Sequence, residues 1–275
     1  MSVRKDPSGR RSVQAEVEVP GTPEEVWQAI ATGPGVSSWF VPAEVDERVG
    51  GNVIAHFGPG MDSIATVTAW EPPHRFAAES GDLGSNAPAL ATEWVIEARS
   101  GGTCVVRVVH SLFASTDDWD NQLESVESGW PAFFRILRLY LTHFSGEPCS
   151  RFQVMGIAPG PASKVWEALS DSLGLAGATL GQRRKTPPGA PPLAGVIEGM
   201  REGQHPFALL LLDEPAPGAA FLNANPMGSQ AFVAISFYMY GERAAATAAR
   251  DEPLWHAWMT QHFPAAADAS GATTA

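Results

Sequence analysis

The chain has 275 residues, 44% of them hydrophobic and 17% charged, with a formal net charge of −12, so it has length and apolar material for two modest domains with separate cores. That acidic balance, with no basic cluster denser than Arg183-Arg184-Lys185, excludes sequence-independent binding to nucleic acid or to an anionic membrane surface. Cys104 and Cys149 form no disulfide framework, the opening MSVRKDPSGRRS has no apolar leader core, and no apolar run is long enough for membrane insertion; the expected location is cytoplasmic.

Residues 1–11 are charged and aperiodic, which predicts a disordered tail. Val13, Ala15, Val17 and Val19 then alternate with polar residues, the pattern of a half-buried strand ended by Pro20-Gly21. Thr22 is a good helix cap, Pro23 suits the first turn, and Glu24 and Glu25 put negative charge at the positive end of the helix dipole. Val26, Trp27, Ala29 and Ile30 supply the apolar stripe, and Gly33-Pro34-Gly35 is expected to end that helix at a corner. A second short helical turn carries Val36, Trp39 and Phe40 and stops at Pro42.

Strands are expected at 43–49, 52–57, 63–70, 75–80, 91–98 and 103–111, separated by turn signals such as Pro72-Pro73 and Gly101-Gly102. Asp117, Asp118 and Asp120 read as helix-start capping rather than a metal site. Gly129-Trp130-Pro131 leads into a long helix over 132–144, with Phe133, Phe134, Leu137 and Leu141 at helical spacing. A sheet curling around that helix, with two short helices beneath, leaves a cavity.

Beyond a linker at Glu147-Pro148 the pattern recurs in worn form. Gly160 to Leu169 repeats the Pro23 to Ile30 pattern, with Val165-Trp166 echoing Val26-Trp27, and Met259-Thr260-Gln261-His262-Phe263 echoes Tyr140-Leu141-Thr142-His143-Phe144. Strand-like runs at 207–212, 219–223 and 230–240 precede a helix with Leu254, Trp255 and Trp258. Arg183-Arg184-Lys185 reads as a solvated loop and the glycines from Gly156 to Gly160 as turns. The expected organisation is a first domain over 12–146, a diverged copy over 147–264 and a disordered tail over 265–275.

The order P-x-x-V-W-x-A-I from Pro23, W-F-x-P from Trp39, Gly50-Gly51 opening a strand that ends near Phe57, Trp70-Glu71-Pro72-Pro73 with Arg75-Phe76, the turn Gly101-Gly102-Thr103, and Gly129-Trp130 at the long helix resembles the SRPBCC superfamily. Within it the sequence is most similar to the family named for the activator of heat-shock protein 90 ATPase homologue, over roughly 12–144. The resemblance implies an α+β helix-grip fold, START-like and birch-pollen-allergen-like: a curved antiparallel sheet around a long C-terminal helix, here in tandem. It also implies a small hydrophobic or aromatic ligand. Two alternatives come with it: a chaperone partner in a stress response, or a polyketide cyclase or dehydratase activity.

Motifs of catalysis are missing: no G-x-S-x-G, H-E-x-x-H, C-x-x-C or phosphate-binding glycine loop occurs, so no metal, cofactor or catalytic residue is expected. Strand parity turns Trp94 and Ile96 toward the long helix, and likewise Val106, Val108 and His110. Parity leaves open which of His56 and Phe57 faces inward. The expected ligand-binding residues are Trp39, Phe40, His56, Phe57, Trp70, Trp94, Ile96, Val108, His110, Trp130, Phe133 and Phe134, with His110 or Arg75 as polar anchor. An enzymatic reading has only His56, His110, Arg75 and Glu93 to draw on.

Overall fold

The computed structural model describes residues 3–58, 60–80, 88–114 and 117–264, leaving aside the side chains of 122 and 124–128. The chain divides into two compact units, Met1–Gly146 and Glu147–Ala275, each an α+β arrangement of one antiparallel sheet with helices. The expected tail 265–275 lies outside the described residues.

The first unit opens with β1 (Arg4–Lys5) and β2 (Arg10–Pro20), followed by α1 (Pro23–Ala31) and α2 (Gly33–Ser37). Strands β3 (Ala43–Val45), β4 (Asn52–His56), β5 (Asp62–Glu71), β6 (Arg75–Ser80), β7 (Leu90–Arg99) and β8 (Thr103–Phe113) follow, then the long α3 (Asp120–His143). The sheet order is β1-β2-β8-β7-β6-β5-β4-β3: the strand before the short helices pairs with the strand before the long one. Helix α3 packs over β2 and β8, and α1 against β7.

Four sequence expectations are corrected in this unit. Residues 4–5 and 10–11 are strand rather than disordered tail. They are tied down because Lys5 and Arg11 both pair with Asp117 and Asp120 at the start of α3. The same pairs answer those carboxylates, so the aspartates do not cap the helix: its cap position is Trp119, without a side-chain cap bond. Helix α3 also starts well before 132 and carries Pro131 inside it, a break in the ladder offset by the burial of Trp130 and Phe134 to either side.

The fourth correction concerns Gly33-Pro34-Gly35, which is the body of α2 and not a corner. The corner is Thr32, whose extended backbone (φ −113°, ψ 150°) separates the helices. Its hydroxyl donates to the Gln28 carbonyl at 2.7 Å and accepts from the Gly35 amide at 3.1 Å, closing one helix and capping the next. Pro34 then sits in a first turn, where a missing amide costs nothing. Gly35 is required by contact, since a Cβ there would lie 1.8 Å from the Gln28 carbonyl oxygen.

The second unit runs β9 (Cys149–Pro159), α4 (Ala162–Ser172), β10 (Arg183–Lys185), β11 (Ala194–Arg201), β12 (Phe207–Glu214), β13 (Gly218–Met227), β14 (Gln230–Tyr240) and α5 (Ala244–His262). Its sheet order, β10-β11-β12-β13-β14-β9, again pairs the strand before the first helix with the strand before the last, and α5 packs on β9 and β14. Val165, Trp166 and Leu169 are buried on α4 as Val26, Trp27 and Ile30 are on α1. The two long helices end alike, Phe144 donating to the Tyr140 carbonyl and Phe263 to the Met259 carbonyl. Two sheets of one topology fit a tandem duplication.

Three further expectations are corrected here. Cys149 belongs to β9 rather than a linker, Gly156 lies inside that strand, and Arg183-Arg184-Lys185 is a short edge strand. Gly156 is small because α5 ends against it: an added Cβ would stand 2.7 Å from Phe263 Cβ. Neither Cys104 nor Cys149 is in a disulfide. No helix among the described residues is long and apolar enough to cross a membrane.

The account of the helix corner predicts that Gly35→Ala destabilises the protein by about 3 kcal/mol or more, the upper range for forcing atoms into a packed site. Urea unfolding of the variant checks this, and a near-neutral result would show that the α1–α2 junction is not held as described.

Candidate functional site

A cavity of about 480 Å³ lies in the first unit between the sheet and the helices, within the range of small-molecule sites. Its floor is the inward face of five strands: Ala43 and Val45 on β3, Val53 and Ala55 on β4, Ser63 and Ala65 on β5, Phe76 and Ala78 on β6, and Leu90, Thr92 and Trp94 on β7. Four of those positions are alanine, where a strand would ordinarily carry a branched side chain. The void exists because these residues are short.

The walls are aromatic. Trp39 follows α2 and is fixed by its indole N–H, which donates to the Ala29 carbonyl at 2.9 Å. Phe40 stands beside it at 5.6 Å and also meets Trp130 at 5.4 Å, Phe133 at 4.7 Å and Phe57 at 5.7 Å between centroids. Trp94 meets Trp130 edge to face at 5.1 Å. Helix α3 contributes Gly129, Trp130 and Phe133, and Phe57 is 43% exposed at the rim.

One polar string crosses this apolar surface. The Trp130 indole N–H donates to His110 Nε2 at 2.8 Å, and Thr92 Oγ1 lies 3.0 Å from His110 Nδ1. The Trp130 and His110 rings are 16° from coplanar with centroids 5.7 Å apart, so they meet edge to edge through that bond rather than face to face. Among the described residues lining the cavity, none carries a formal charge at neutral pH apart from what His110 could acquire.

The sequence model of the family described as Activator of Hsp90 ATPase homolog 1-like protein matches residues 20–142, the span that builds the cavity. The first unit is a domain of this family. Among solved structures the chain is similar to CalU16 from Micromonospora echinospora, at 21% identity over 52% of this chain and 83% of that one, with a TM-score of 0.41. The Aha1 dimer from Colwellia psychrerythraea aligns at 20% identity over 49% and 98% with a TM-score of 0.41. DynU16, a protein of the dynemicin biosynthetic locus, aligns at 19% over 90% and 95% with a TM-score of 0.43. No curated protein matches the sequence.

Within this Hsp90-activator-like domain, the structure brings Trp39, Phe40, Phe57, Trp94, His110, Trp130 and Phe133 together around the cavity. The other expected site residues lie elsewhere. Ile96 and Val108 have the inward parity but are sealed in the core at 3% and 0% exposure, and Phe134 packs behind Trp94 and Trp130. Trp70 packs on Trp27 and Phe76 at 4.9 and 5.6 Å. His56 is on the outer face between Glu44 and Asp62, and the Asp62 hydrogen bond raises its pKa. Arg75 and Glu93, offered as anchor and acid–base group, pair with each other at 2.6 Å, and Arg75 also pairs with Glu71.

Sequence reading missed the small floor residues, Gly129 and Thr92. A signal for Thr92 was present, since it shares the strand face of Trp94.

Burial lowers the His110 pKa to about 4, so the ring is neutral at physiological pH. A group neutral when folded and normal when unfolded adds stability that is complete above the unfolded value of 6.5 and lost as pH falls toward 4. Across that window the contribution is about 3 kcal/mol. His110→Gln keeps an acceptor for Trp130 and a donor for Thr92 without titrating. Between pH 6.5 and 4.5 its unfolding free energy should fall by about 2 kcal/mol less than that of the wild type; parallel falls would contradict a buried neutral His110.

Proposed function

We propose that the first domain binds a neutral, flat, apolar or aromatic small molecule in the cavity walled by Trp39, Phe40, Trp94, Trp130 and Phe133. The observation that carries this reading is the cavity itself: about 480 Å³, floored by alanines and walled by rings. Flat ligands gain from offset and edge-to-face contact with such walls beyond the area they bury. The family's members bind hydrophobic ligands or act as polyketide cyclases, and the cavity suits the first role directly.

Binding is favoured over catalysis by where the ionisable side chains lie. Of the four that could serve as acid or base, His56, Arg75 and Glu93 are paired on the outer face. His110 has both ring nitrogens engaged and stays neutral, a poor general base toward a ligand. A chaperone-linked role is the second reading, and it rests on the description of the matching family. Unchanged ATPase turnover of an Hsp90-type chaperone on addition of this protein removes it.

Gly129 supplies the test. It lines the cavity from inside α3, and among the described residues a Cβ added there meets only Phe133 Cε2, at 3.8 Å. Glycine within a helix costs about 1 kcal/mol relative to a good helix former. Gly129→Leu should therefore hold or raise the thermal midpoint while filling the cavity. Tryptophan fluorescence titration with polycyclic aromatics and polyketide-like compounds should find a ligand whose affinity falls at least roughly tenfold in the variant, as expected when a buried contact worth about 1.4 kcal/mol is lost. A panel without a single binder, or equal binding by the variant, would overturn the reading.

A further inference from the structure

The hydrogen-bond string at the cavity wall has a direction, and the direction ends at the ligand. A tryptophan indole can only donate, so His110 Nε2, which faces it at 2.8 Å, must be the unprotonated nitrogen. The neutral ring then carries its proton on Nδ1, and the bond to Thr92 runs from His110 to the threonine oxygen at 3.0 Å. Thr92 is an acceptor in that bond, which leaves its own hydroxyl hydrogen to be placed. No other hydrogen bond involves this hydroxyl among the described residues.

Thr92 is half-buried and lines the cavity two residues from Trp94 on the same face of β7. The other hydroxyl at the lining among the described residues, Ser63, is exposed. Among the described residues the surroundings are otherwise apolar, with no lysine or arginine to neutralise a carboxylate and no acid to meet an ammonium. A site of this composition disfavours a charged ligand, because an ion would lose its hydration with nothing in exchange.

We propose that the occupant presents an uncharged oxygen acceptor, a ketone, quinone or ester carbonyl, to the Thr92 hydroxyl while its ring system lies against the aromatic wall. The inference rests on the binding reading above and narrows it. Trp130 and His110 act as positioning residues: they hold the threonine oxygen as an acceptor, so its hydrogen is delivered to the cavity. A chain of bonds oriented in one sense also polarises its last donor, strengthening the bond to the ligand.

The test uses two probes of nearly one shape, fluorene and 9-fluorenone, which differ by the carbonyl, titrated into the full-length protein. In the wild type the preference for fluorenone over fluorene should exceed that of Thr92→Val by roughly three- to tenfold, the net effect of one hydrogen bond. Thr92→Ser, which restores the hydroxyl, should restore the preference. Infrared spectroscopy of wild-type protein with bound fluorenone needs no variant, and covers the case in which Thr92→Val fails to fold. The carbonyl stretch should lie below its position in an alkane solvent.

If both probes bind, an unchanged preference in Thr92→Val or a carbonyl stretch at the alkane position overturns the acceptor inference and leaves the cavity reading intact. If folded wild-type protein binds neither probe, the cavity reading and the inference fall together.

Discussion

One bond between two rings, from the Trp130 indole to His110, joins the long helix to the sheet at the edge of the cavity. Both side chains are buried, at 7% and 5% exposure, so breaking the bond leaves a buried polar atom unanswered. It fixes three things at once. The helix is held at the end of the cavity rather than collapsing into it, the histidine is held neutral in one tautomer, and Trp130 is oriented to face Phe40 and Trp94.

A cavity of this size is a cost to the fold, because its lining forgoes packing contacts and hydrophobic burial. The two units offer a comparison in one chain. They share a strand order and two matching helices, but the interior of the second contains a ring stack, Phe152 on Phe237 at 4.6 Å with Trp255 at 5.0 Å from Phe237. The first unit instead places alanines on its sheet floor, a glycine in its long helix and its aromatic side chains around the rim. This division of residue types fits the binding reading proposed for the first unit.

Much of this was legible in the sequence, and the misreadings have physical causes. Strand alternation has a period of two, so the inward side chains of β7 and β8, His110 among them, follow from counting. Counting cannot say how far along a strand the cavity extends, which is why Ile96 and Val108, of the right parity, are core residues. Gly33-Pro34-Gly35 was ambiguous because proline both ends helices and begins them, and only the Thr32 hydroxyl decides. The first turns of α3 carry no apolar stripe strong enough to announce a helix, and their anchor is a set of ion pairs to Lys5 and Arg11 more than a hundred residues away. Small floor residues are invisible for a simpler reason: a void is a property of what is absent, and alanine signals nothing by itself.

The central claim is that the first domain's cavity is built to be filled. Native mass spectrometry of the protein purified from its own source, followed by denaturation to release bound molecules, tests it most directly. The account predicts one small neutral molecule per chain, carrying an unsaturated ring system and at least one carbonyl oxygen. A protein that emerges at its bare mass under conditions gentle enough to preserve noncovalent complexes would contradict it.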